Sequence, residues 1–196
     1  MKKQLLCFFI LIPLLFASCK KPPEDTVKPN EIDIKTLFNT VCTGDEAIAL
    51  AKENHIPVRF GSTCVCGLEK MEEFYAAVCE KKPASILTAA YYDTESGIGH
   101  DLFFYYVEYD GDAFSVKVRQ SDVKEPEEIK TYRYLKKYTG EQQPLIRRYV
   151  YYCLVNDENV EWEDIERGMV SSQSGAWVDH ETVFSDLTGM AYPSGM

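Results

Sequence analysis

The chain has 196 residues, 27% of them charged, with a formal net charge of −10 and a sequence pI near 4.8. So acidic a composition excludes a phosphate-binding partner such as nucleic acid, whose affinity comes from clustered Lys and Arg. The length and a hydrophobic content of 45% suffice for one sizeable core.

The first segment reads as a leader. Lys2 and Lys3 form a basic start, and Leu5 to Phe16 form an apolar run shorter than the about 20 residues that span a membrane. It ends in Leu15-Phe16-Ala17-Ser18-Cys19, small residues directly before a cysteine, which is the lipobox a lipoprotein signal peptidase requires. This assigns residues 1–18 to a signal peptide and makes Cys19 the palmitate-bearing first residue of the mature chain. Removal of the leader, with two lysines and no acids, takes the charge from −10 to −12. The expected location is extracytoplasmic, lipid-anchored to the cell membrane or an outer membrane.

Residues 19–31 carry three prolines, mixed charge and little that is apolar, and so read as a flexible tether. Lys20 and Lys21 sit where they can meet lipid headgroups. Residues 32–196 then read as a single domain. Ile34, Leu37, Phe38 and Val41 have helical spacing, and Thr43 with Glu46 fits a capping box that starts a second helical piece. Residues 55–60 read as a short extended segment, 61–67 as a loop, and 68–80 as an amphipathic helix stopped by Lys81-Lys82-Pro83.

Five stretches rich in Tyr, Phe, Val and Ile follow, at 85–92, 101–109, 113–120, 129–138 and 148–155, with Asp110-Gly111 marking a hairpin. A helix is expected at 161–169 and an irregular tail from Val170. The pattern predicts an α+β domain: an antiparallel sheet of about five strands covered on one face by helices.

Gly67-Leu68-Glu69-Lys70-Met71-Glu72-Glu73-Phe74, Thr94-Glu95-Ser96-Gly97, Asp101-Leu102 and Tyr109-Asp110-Gly111 together resemble a family of small Gram-positive-type lipoproteins known only as a domain of unknown function. The resemblance covers about a third of the chain. Gly67 stands where that pattern prefers Asn, and Cys64-Val65-Cys66 has no counterpart in it. What it implies is an exported lipoprotein, with no activity attached.

Five cysteines follow Cys19, an odd number, so at least one stays free or pairs outside the chain. Cys79 falls on the apolar side of the 68–80 helix and reads as a buried free thiol. Cys42, Cys64, Cys66 and Cys153 are candidates for two disulfides, in three possible connectivities, which an oxidising envelope would preserve. The alternative is thiol redox or soft-metal handling through Cys64 and Cys66. Zinc wants four ligands, and no second Cys or His pair lies at the right spacing, so no metal is assigned.

No catalytic constellation stands out. Ser172-Gln173-Ser174-Gly175 with Asp179-His180 has triad residue types, but Ser172 replaces the first glycine of a nucleophile elbow. Asp93, Glu95 and Asp101 lack the ligand rhythm of a calcium loop and read as a solvated acidic turn. The acids from Asp157 to Glu166 suit the start of a helix. Thirteen tyrosines are many for this length. Those on strands, among them Tyr91, Tyr105, Tyr132 and Tyr151, suggest an aromatic sheet face that contacts protein or glycan. The resulting expectation is a membrane-anchored, non-enzymatic binding module needing no cofactor, with that face or the 93–101 loop as the contact.

Overall fold

The computed structural model describes residues 33–125, 128–142, 147–171 and 177–188. All belong to the second of the two units into which the chain divides, Glu31–Met196. The leader, Cys19, the tether and Ser172 to Gly175 lie outside the described residues.

Two short helices come first, α1 (Ile34–Asn39) and α2 (Gly44–Glu53). The capping box that starts α2 is formed: the Thr43 amide donates to Glu46 Oε2 at 3.0 Å, and the Glu46 amide donates back to Thr43 Oγ1 at 3.4 Å. The chain then makes a tight hairpin of β1 (Val58–Phe60) and β2 (Thr63–Cys66) and enters α3 (Leu68–Cys79). Gly67 turns that corner with φ +80°, and a Cβ there would come 2.6 Å from Pro57 Cα, so the close approach needs glycine.

Next come β3 (Ala84–Asp93), β4 (His100–Tyr109), β5 (Phe114–Gln120) and β6 (Glu128–Tyr132). Together with the first hairpin they form a six-stranded sheet in the order β2-β1-β3-β4-β5-β6. It is mixed, because β1 runs parallel to β3 while the other neighbours are antiparallel. A second, antiparallel sheet holds β7 (Tyr134–Gln142), β8 (Arg147–Val155) and β9 (His180–Thr188), with α4 (Trp162–Val170) between the last two in sequence.

The main core lies between the sheets, where Ile86, Val107 and Val116 meet Tyr152, Leu154 and Phe184, closed at one side by Met71 and Phe74 of α3. A buried hydrogen bond from Thr88 Oγ1 to the Val183 carbonyl, 2.6 Å, ties the sheets together. On its other face the large sheet buries Leu87, Ala89, Leu102 and Phe104 against Leu37, Phe38, Ala47 and Ala51 of α1 and α2. The outer face of the small sheet is covered by α4, where Trp162 stacks on Tyr151 at 4.2 Å.

This corrects the expected fold. The domain is mainly β, two packed sheets with few helices, and is not a five-stranded antiparallel sheet covered on one face. The stretch 129–138 is not one strand: the chain turns at Arg133, so that β6 ends the large sheet and β7 begins the small one. The loop expected at 61–67 contains β2. The tail expected to be irregular contains β9.

Arg119 shows how the interior tolerates charge. It is fully buried at the end of β5, and its guanidinium donates to five backbone carbonyls: Phe38, Thr40, Gln120, Ser121 and Val123. The rings of Phe38 and Phe104 lie 5.4 and 5.5 Å from it. Two of the carbonyls belong to the C-terminal end of α1, which this cation caps.

The folded chain also holds several carboxyls below their usual range. Glu46 is held there by the Thr43 amide and hydroxyl, Asp110 by the Ala113 and Asp112 amides, and Asp157 by Asn159. Burial pushes Glu72 the other way, but the Lys137 ammonium, 2.6 and 2.8 Å from its two oxygens, outweighs it. Groups whose folded value is depressed stabilise above the unfolded value, about 4, and lose that contribution as pH falls through the folded one. Urea midpoints should therefore drop between about pH 5 and pH 3 at fixed ionic strength. An unchanged or higher midpoint at the lower pH would contradict this.

Candidate functional site

The sequence-derived candidates fall in different places. Of the tyrosines, Tyr105 and Tyr132 are buried between the sheets, Tyr151 lies under Trp162 of α4, and Tyr91 is half-buried on the α2 side of the large sheet. They do not share one surface, since both faces of the large sheet's centre are covered.

The cysteines are also spread out, and all five are free thiols in the structure. Val65 is an extra residue in β2: Cys64 pairs with Arg59 and Cys66 with Val58, so the bulge turns the two thiols to opposite faces. Cys64 packs toward the inter-sheet core, and Cys66 toward the α1–α2 core together with Cys42. Cys153 is fully buried in the third cluster, with Thr182 Oγ1 3.5 Å from its sulfur. Cys79 is exposed, which corrects the reading of it as buried: α3 turns its Met71–Phe74 stripe inward and leaves its last residue facing water.

Burial, with help from Asp186 and Cys66, pushes the Cys64 thiol up to about 11, and burial pushes Cys153 up to about 12. Thiols shifted this way hold almost no thiolate at neutral pH. We expect a maleimide to modify Cys79 within minutes in the native protein, to modify the half-buried Cys64 far more slowly, and to reach Cys153 only on unfolding. Labelling of Cys64 as fast as Cys79, read by peptide mass, would contradict the burial. Among the described residues no group of three or more His, Cys, Asp or Glu is placed to hold a metal ion.

What the fold does bring together lies at one end of the large sheet. Phe60 of β1 stands in register with Tyr91 of β3, and their rings are 4.9 Å apart. The ring of His100, which opens β4, meets Tyr91 edge-on at 5.2 Å and Phe60 at 6.4 Å. His100 is fixed by carboxylates on both sides: Nδ1 lies 2.6 Å from Asp45 Oδ1 of α2, and Nε2 lies 3.5 Å from Asp93 Oδ1. Gly44, at the start of α2, allows this contact, because a Cβ there would collide with the His100 carbonyl.

The 94–99 loop between β3 and β4 is held by its own bonds. Thr94 Oγ1 donates to the Ile98 carbonyl at 2.8 Å and accepts from the Ile98 amide at 3.2 Å, while Gly97 and Gly99 take positive φ. At its tip Ile98 is 83% exposed, and nearby Phe60 is 40% exposed. Asp45 and Asp93, both against His100, and Glu95 in the loop are exposed acid groups at this end. Asp93, Glu95 and Asp101, read from the sequence as a solvated acidic turn, do not converge: Asp93 faces His100, while Asp101 accepts from Gln120 Nε2 at 3.4 Å.

Of this arrangement the 93–101 loop and Tyr91 are legible as candidates in the sequence, whereas Phe60, Ile98 and His100 are not singled out there. Gly97-Ile98-Gly99, an apolar residue held between glycines in an acidic loop, was the available signal for one of them. The pairing of Phe60 with Tyr91 depends on a parallel register between strands about 30 residues apart, which local patterning does not encode. No helix among the described residues is long and apolar enough to cross a membrane. Comparison with protein-family profiles, curated proteins and solved structures finds no match to the chain.

Proposed function

We propose that this chain is a membrane-anchored, extracytoplasmic lipoprotein whose folded domain binds a protein partner and catalyses no reaction. Its contact is the sheet end formed by Phe60, Tyr91, His100 and the Ile98 loop. The observation that carries this reading is Ile98: a large apolar side chain, 83% exposed, on a loop that its own hydrogen bonds hold in place. Covering such a side chain is worth roughly 1.5–3 kcal/mol, and a loop already ordered loses little entropy on binding. The acid groups around it, on a chain of net charge −10, favour a partner whose apolar plug has a basic rim.

The alternative of thiol redox or soft-metal handling gains no support from the geometry. Cys64 and Cys66 face opposite sides of β2, and burial moves the Cys64 thiol away from reactivity.

The test uses the full mature chain in detergent, titrated against solubilised membranes of its source by surface-coupled binding. Ile98→Asp should weaken saturable binding at least about tenfold, the cost of losing one buried apolar anchor. Val123→Asp, at an exposed apolar site elsewhere, should leave it unchanged. Equal effects of the two substitutions, or a turnover of peptide, ester or glycoside substrates by the purified chain, would overturn the proposal.

A further inference from the structure

The opposite end of the large sheet carries a second, chemically different surface. Across four neighbouring strands the register places Ser85 opposite Glu108, Glu108 opposite Ser115, and Ser115 opposite Thr131. Residues directly opposite share a face, so three hydroxyls and one carboxylate form a straight row, stepping about 4.8 Å from strand to strand. Helices α1 and α2 cover β1, β3 and β4 on this face and α1 reaches β5 at Arg119, while at the other end of β5 and β6 Ser115 is half-buried and Thr131 exposed. The row lines an open trough of about 600 Å³, walled at one end by Pro83, Asp110 and Ala113. A smaller cleft of about 280 Å³, between α1 and Tyr106, Lys117 and Ile129, lies one register step away.

The row has unspent hydrogen-bonding capacity. Ser85 and Thr131 are exposed, Ser115 is half-buried, and none of the three hydroxyls bonds to another described residue. Glu108 is the only charged member, and it is fixed in place. Tyr106 donates to its Oε1 at 2.9 Å, Lys35 lies 3.4 Å from the same oxygen, and Lys117 is 4.0 Å from Oε2. Oε2, with Lys117 at 4.0 Å, accepts no hydrogen bond from another described residue and is left as an acceptor beside the row. Both lysines are held beside Glu108 and over the Tyr106 ring, at 5.9 and 5.8 Å, so neither is a free counter-charge for an anion.

We infer that this trough binds a neutral oligosaccharide. Hydroxyl-rich ligands need alternating donors and acceptors without net charge, and the row supplies rotatable hydroxyls around one oriented carboxylate. The strand spacing is close to the length of one pyranose unit, so successive sugar residues can address successive strands. A peptide adding to a sheet needs free backbone at an edge, whereas this surface lies on a face. The site is separate from the Ile98 end and does not rest on the function proposed for it.

The experiment is an amide-shift titration of the full mature chain, isotope-labelled and in detergent micelles, with cellotetraose as probe. The expected result is a saturable shift confined to residues 85, 106–109, 115–117 and 129–131, with a dissociation constant of about 1 mM, typical of a shallow open site. Glu108→Gln should weaken it about tenfold, and Thr131→Val, at an exposed position that keeps strand propensity, should weaken it measurably. Ile98→Asp should leave it unchanged. Absence of saturable shifts, shifts elsewhere in the chain, or binding of an anionic oligosaccharide in place of the neutral one would overturn the assignment. So would equal affinity of the parent chain and both trough variants.

Discussion

Arg119→Ala should lower the unfolding free energy by about 3–5 kcal/mol, a large share of the stability of a domain this size. The side chain is fully buried at the end of β5, and no carboxylate among the described residues is bonded to it. Backbone carbonyls bind it: Nε reaches Phe38 O at 2.6 Å, Nη2 reaches Thr40 O at 2.7 Å, and Nη1 reaches Val123 O at 2.6 Å with Gln120 O and Ser121 O at 3.0 Å. Alanine would strand these acceptors and leave a cavity between the Phe38 and Phe104 rings. It would also detach the end of α1, whose six residues are too few to persist without tertiary contacts.

Lysine is no substitute, because a point charge cannot meet five carbonyls spread around a planar fork. Arg119→Lys should lose more than half of the alanine effect, read as a lower urea midpoint at an unchanged slope. A loss under about 1 kcal/mol for Arg119→Ala would contradict the role assigned to this side chain.

Cys19→Ala should abolish palmitate incorporation into the chain. The leader's apolar run is followed at once by Ala17, Ser18 and Cys19, and the tether that follows has too few apolar residues to hold the protein at a membrane. On the proposed reading, stable attachment depends on acyl chains at Cys19, and more than one of them, because one chain alone binds only marginally. Mass analysis of the parent protein should find Cys19 as its first residue, carrying lipid. The variant should retain its leader and take up no label. A mature chain that begins elsewhere, or label that persists without Cys19, would contradict the assignment.

Local chemistry explains which parts of the fold could be read in advance. The Thr43–Glu46 box, the Met71–Phe74 stripe and the Asp110-Gly111 hairpin are signals contained within a few residues, and each lies where the sequence places it. The β9 strand was hidden by a bulge. Tyr152 pairs with Phe184 and Cys153 with Thr182, leaving Val183 as an extra residue, so Val183 and Phe184 both enter the core and the period of two is lost. The break at Arg133 was hidden for another reason: the chain passes between sheets with no Gly or Pro to mark the corner. The pairing of β1 with β3 is non-local, and with it the site that joins Phe60 to Tyr91.

The same distinction applies to the tyrosines. Their number was visible, but period-two patterning assigns a face only relative to a sheet that has one covered side. Here helices cover only part of one face of the large sheet and a second sheet packs against the other, so Tyr105 and Tyr132, on the side of the second sheet, became core.

The most direct test of the central claim, a tethered domain that binds through its Ile98 end, is photo-crosslinking in intact cells. A diazirine amino acid is placed at position 98 in one strain and at position 124 in another, and adducts are resolved by mass. The account predicts one discrete protein adduct from position 98, lost when Phe60→Ala is added, and none from position 124. The same ladder of adducts from both positions, or none from position 98 while the protein remains folded and lipidated, would contradict it.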